Sequence, residues 1–89
     1  MKSLSGLTSA QIRAARALIR WSAADLAREA SLGLATIRRA ELTEDETSLT
    51  AANDLAIRRA LEAAGVEFLD ENGGGPGVRL RARSARSRK

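Results

Sequence analysis

The sequence predicts a mainly α fold: a compact domain of four to five helices, then a short C-terminal β-hairpin or strand pair, then a disordered basic tail. Three observations predict it. Apolar residues recur at helical spacing through most of the chain, and capping residues stand at the start of each stripe. Beyond Gly65 the period changes to two. The last eight residues have no apolar period at all. Eighty-nine residues suffice for one small domain with a modest core, so the chain divides into a helical body at 1–64, a β extension at 65–81 and a tail at 82–89.

Thr8-Ser9-Ala10-Gln11 fits a capping box, with Ile12, Ala15, Leu18 and Ile19 following at helical spacing, so a first helix is expected over Ser9–Arg20. Trp21 closes it with a large apolar side chain and, with so few aromatics, is expected in the core. Ser22, with Asp25 three residues on, opens a second helix that ends near Ala30. The apolar positions Leu26, Ala27, Ala30, Leu32, Ile37 and Ala40 form two stripes, interrupted at Ser31-Leu32-Gly33. Two short helices joined by a tight turn are therefore expected, the third helix running from Leu34 to Leu42 with Gly33 as a weak cap. Thr43 to Ser48 reads as an acidic, solvated loop, and Thr50 caps a fourth helix that runs through Ala64. Ile57, Ala60, Leu61 and Ala64 make its inner stripe. Leu55 falls off that stripe, which implies either a second packing neighbour or an irregular helix start. Val66 and Phe68, then Val78 and Leu80, alternate with charged residues and predict two antiparallel strands. The glycine-rich connection from Asp70 to Gly77 is long for a hairpin, and a lone two-stranded ribbon is only marginally stable. The ribbon must dock on the helices or pair with another subunit.

Composition excludes much. The chain has no Cys, no His and no Tyr, so disulfides, imidazole or thiol catalysis and the usual zinc sites are absent. No enzyme is expected, and no metal or other cofactor. Neither a transmembrane run nor a signal-peptide core is seen near Met1 to Thr8, so a cytoplasmic protein is expected, associated with the nucleoid when bound to DNA. The net charge of +4 and pI near 11.0 are unevenly distributed. Residues 9–42 hold six basic against three acidic residues, residues 43–78 two against eight, and residues 79–89 six against none. The high pI is thus chiefly a property of the tail and does not by itself make the folded body a binder of nucleic acid.

Arg16 in the first helix, Leu26-Ala27 in the second, the run Ala35-Thr36-Ile37-Arg38-Arg39 and the closing Glu41 resemble the phage repressor and Cro-like helix-turn-helix family, also called the xenobiotic-response-element (XRE) family. The resemblance covers roughly Ser9 to Ala64, and the ending Gly65 to Arg81 looks like that of its short single-domain bacterial regulators. It implies a Cro/repressor-like fold and a structural ion pair between Arg16 and Glu41. Four positions depart from the family pattern. Ser31 holds the turn where Gly is usual, so it must adopt a left-handed backbone; Gly33 holds the cap where Ser is usual; and Ala23 replaces a phosphate-touching Gln. Ala40 also replaces a larger apolar residue.

In this motif the third helix enters the major groove of double-stranded DNA. Leu34, Ala35, Arg38 and Arg39 are its outward positions and the base-reading candidates. An Arg can bond N7 and O6 of guanine, and Leu34 or Ala35 can contact a thymine methyl. For Arg38 and Arg39 the alternative is plain surface charge or, for Arg39, phosphate binding. Arg13, Arg20, Ser22, Arg28 and Thr36 are candidate phosphate contacts, with ordinary solvation as the alternative. The acidic Glu44-Asp45-Glu46 cluster would repel phosphate, so it points away from the duplex or faces a protein partner. Val66, Phe68, Val78 and Leu80 are candidates for a homodimer contact, an intramolecular flap over the fourth helix being the alternative. The expected function is a sequence-specific transcriptional regulator, a repressor that occupies an operator. The second reading is a protein-interaction module, antiactivator or antitoxin-like, that keeps the fold and holds a protein partner.

Overall fold

The computed structural model describes residues 7–42, 50–69 and 74–81. The acidic loop Thr43 to Ser48, the start of the glycine-rich connection at 70–73 and the tail at 82–89 lie outside the described residues. Four helices, α1 (Ser9–Ile19), α2 (Ala23–Ala30), α3 (Leu34–Ala40) and α4 (Ala51–Ala63), are followed by strands β1 (Val66–Leu69) and β2 (Gly77–Leu80). The fold is mainly helical, with one two-stranded antiparallel sheet.

The helix starts follow from their caps. The Thr8 hydroxyl accepts from the Gln11 N–H at 3.0 Å while the Gln11 amide oxygen accepts from the Thr8 N–H at 2.9 Å. Ser22 and Asp25 form the same reciprocal box on α2, and Thr50 accepts from the Asn53 N–H at 3.1 Å. Gly33 starts α3 in an ordinary extended conformation without a side-chain bond.

Two connectors, α1 to α2 and α2 to α3, share one design. Each is a left-handed residue, an apolar residue and an extended cap: Arg20-Trp21-Ser22, then Ser31-Leu32-Gly33. Arg20 has φ 61° and Ser31 φ 59°. The Trp21 N–H returns to the Arg16 carbonyl at 3.0 Å and the Leu32 N–H to the Ala27 carbonyl at 2.9 Å, the six-to-one bond of a Schellman helix ending. Both left-handed positions carry a side chain where glycine is favoured. Ser31 therefore takes the backbone expected of it. Arg20, expected as the last residue of the first helix, lies just beyond it because the chain must reverse there.

The core holds Leu7, Ile12, Ala15, Leu26, Ala27, Ala30, Ile37, Ala40, Ile57, Leu61, Val66 and Phe68. Ile19, Trp21, Leu32, Ala60 and Val78 pack against it only partly buried. Leu18 departs from its expected inward position and is 39% exposed. Ile12, Ala15 and Ile19 define the inner line of α1, and Leu18 sits one residue, about 100°, off it. Leu55 is likewise exposed on a regular α4. The third helix ends at Ala40 rather than Leu42, with Glu41 as its cap.

The sheet pairs Val66 with Leu80, Glu67 with Arg79, Phe68 with Val78 and Leu69 with Gly77. Gly65, at φ +108°, turns the chain out of α4, and its carbonyl accepts from the Arg81 N–H at 2.8 Å. The strands pack on α1, and β1 also on α4. Gln11 makes that docking specific: its side-chain NH2 donates to the carbonyls of Leu69, at 3.3 Å, and Gly77, at 3.0 Å. The same side chain thus caps α1 and ties down the loop end of the ribbon. Val66 and Phe68 are buried in the core of the single chain, the arrangement of the intramolecular flap that was the alternative to a partner contact. Val78 is half-buried and Leu80 is 50% exposed.

Candidate nucleic-acid interface

Helix α3 has two distinct faces. Ile37 and Ala40 are fully buried, whereas Leu34, Ala35, Arg38 and Arg39 are exposed. Those four lie at relative positions 0, 1, 4 and 5, which places them together on the outward side of the helix. Arg38 and Arg39 make no side-chain hydrogen bond or ion pair among the described residues. Their position in the last turn also favours α3 itself, since positive charge there complements the helix dipole.

The end of α3 is fixed from α1. The guanidinium of Arg16 grips Glu41 through two bonds, Nε to Oε2 at 2.7 Å and Nη2 to Oε1 at 2.8 Å, and donates from Nη1 to the Trp21 carbonyl at 2.9 Å. Arg16 and Glu41 keep only 22% and 10% of their side-chain surface in water. The bond to Glu41 raises the Arg16 pKa above its ordinary value, against a smaller opposing effect of burial. Two further α1 side chains reach the same end: the Ser9 hydroxyl donates to the Ala40 carbonyl, and Arg13 Nη1 donates to the Glu41 carbonyl.

The phosphate candidates separate on inspection. Arg20 is exposed, without a side-chain partner among the described residues. Thr36 is half-buried on α3. Arg28 is held by Asp25 at 3.1 Å and lies 3.8 Å from Glu29, so its charge is locally balanced. The carboxylate of Asp25 also accepts from the Ser22 N–H at 2.8 Å; that bond, then the one from Arg28, keeps the Asp25 carboxyl below its usual range. A negative charge therefore already stands beside the start of α2, which weakens the field available to a phosphate there. Arg13 faces the end of α3 instead of open solvent alone.

Ser9 and the second role of Gln11 were not among the residues that sequence reasoning selected. A signal existed for Ser9: with Arg13 and Arg16 it forms an i, i+4, i+7 line on one face of α1. None existed for Gln11, whose partners are 58 and 66 residues away. No helix among the described residues is long and apolar enough to cross a membrane. Comparison of the chain with protein-family models and with curated proteins finds no match.

Proposed function

We propose that the chain is a sequence-specific double-stranded-DNA-binding regulator of the XRE type, a repressor that acts by occupying its operator with α3 in the major groove. The observation that carries this reading is the outward face of α3. Two exposed guanidinium groups without partners among the described residues stand beside Leu34 and Ala35, on a helix whose other face is buried and whose end is gripped by Arg16. Free arginines on a fixed helix suit recognition of guanine, because the two donors of one guanidinium match N7 and O6 only when the helix is held at a constant depth. Arg20 and Thr36 are the phosphate contacts of this reading, and Ser22 and Arg28 act more weakly because of Asp25 and Glu29. A homodimer would set two such helices about 34 Å apart on one face of the duplex, with Leu80 and Val78 as the ribbon side chains left to meet a partner.

A binding selection on random duplex DNA at near-physiological salt tests the reading. The expected result is a palindromic consensus, with Arg38→Ala losing roughly 1–3 kcal/mol and relaxing the preference at one base pair. An Arg38→Ala variant that binds the selected site unchanged refutes the base-reading role. A protein-interaction module is the second reading, favoured by Leu42 at 79% and Leu34 at 37% exposure, next to α3's charged face. It predicts only sequence-blind, salt-labile binding in the same selection.

A further inference from the structure

We infer that Arg13 is a positioning residue that holds the angle of α3, together with Ser9, and is not a phosphate contact. This rests on the reading of α3 as the DNA-facing helix. Helix α3 has only seven residues, too few to persist through backbone bonding alone. Its final carbonyls have no partner within the helix, and Glu41 ends it in a right-handed conformation, without the left-handed reversal that caps α1 and α2. The missing partners come from α1. Ser9 donates to the Ala40 carbonyl, Arg13 to the Glu41 carbonyl and Arg16 to the Glu41 carboxylate. These donors line one face of α1 at intervals of four and three residues, so a single rigid helix supplies all three bonds. Positive charge on Arg13 at this end also complements the dipole of α3.

The clamp lies at one end of α3 and the first base-reading candidates at the other. A helix of this length spans about 10 Å, so a 10° tilt at the clamp displaces Leu34 and Ala35 by about 2 Å. That is enough to lose the contact these two side chains would make with a thymine methyl. The bond to the Glu41 carbonyl aims the Arg13 guanidinium at the end of α3, so Arg13 is assigned no phosphate contact.

The test uses the full chain with Arg13→Gln and, separately, Ser9→Ala. Amide exchange is measured on the free protein, and binding to the selected site and to random duplex across a salt series. Amides of Glu41 and Leu42 are expected to exchange about tenfold faster in Arg13→Gln, while those of α4 stay unchanged and report that the domain is folded. The ratio of specific to non-specific affinity falls, and the salt slope stays at its wild-type value. Unchanged exchange at Glu41 and Leu42 overturns the inference whatever DNA does. So does a salt slope reduced by about one with the affinity ratio intact, the signature of a lost phosphate contact. If exchange accelerates but no specific site exists for the wild type, the clamp stands and the regulator reading fails.

Discussion

Replacing Arg16 with Met should be the most damaging single change at the α1–α3 junction. It deletes two charge-assisted bonds to the Glu41 carboxylate and one to the Trp21 carbonyl, and leaves a carboxylate that keeps only a tenth of its side-chain surface in water. Stranding one member of a buried pair costs about 3–5 kcal/mol. The partial exposure of Arg16 lets water relieve some of that, so the loss is set at about 3 kcal/mol, or a fall in Tm of roughly 12–20 °C for a domain of this size. Glu41→Leu strands the better-solvated partner, which keeps the Trp21 carbonyl, and should cost about 2 kcal/mol. The double variant leaves no unpaired charge and should lose no more than about 2 kcal/mol, well short of the sum. Urea unfolding followed by Trp21 fluorescence and by helical circular dichroism measures all three. If each single change costs less than about 0.5 kcal/mol and the two add, the pair is an ordinary solvated contact and the reasoning is wrong.

Ser31→Gly should stabilise by about 1 kcal/mol, because glycine adopts the left-handed turn without steric cost; a loss of stability in urea would show that the serine side chain compensates for its backbone. Gly33→Ser should add a few tenths of a kcal/mol by supplying the missing cap on α3, since a Cβ there meets nothing within 4 Å; an unchanged unfolding midpoint would count against it. Gln11→Ala should cost about 2 kcal/mol and release the amides of the β ribbon to exchange earlier than those of α2, two strand carbonyls having lost their donor. Equal protection in both elements would show that the ribbon docks without it. Asp25→Asn should lower Tm at neutral pH. Asp25 has a depressed carboxyl pKa in the folded state, so its contribution is present above the ordinary aspartate range and is lost as pH falls through the folded value. The Tm difference between variant and wild type should therefore shrink below about pH 4; a difference constant down to pH 2 would contradict it.

What the sequence determined by itself is local. Thr8 with Gln11, Ser22 with Asp25, and Thr50 each act on a backbone group three residues away, so four letters suffice to place a helix start. The strand pair follows from the change of period at Gly65, whereas the left-handed backbone of Ser31 was what the family resemblance implied, Gly being usual at that turn. The outward set Leu34, Ala35, Arg38 and Arg39 was legible for the same reason: once Ile37 and Ala40 face the core, geometry at 3.6 residues per turn assigns the rest. Tertiary structure decided everything that depends on distant partners. It turned Val66 and Phe68 inward, because a two-stranded ribbon on this small body gains more by covering helices than by facing water. It left Leu18 outside by a rotation of one residue. It drew Gln11 to strand carbonyls and Arg13 to the end of α3. Side chains of that length reach several backbone groups equally well, and only the packed arrangement of the helices determines which of them is near.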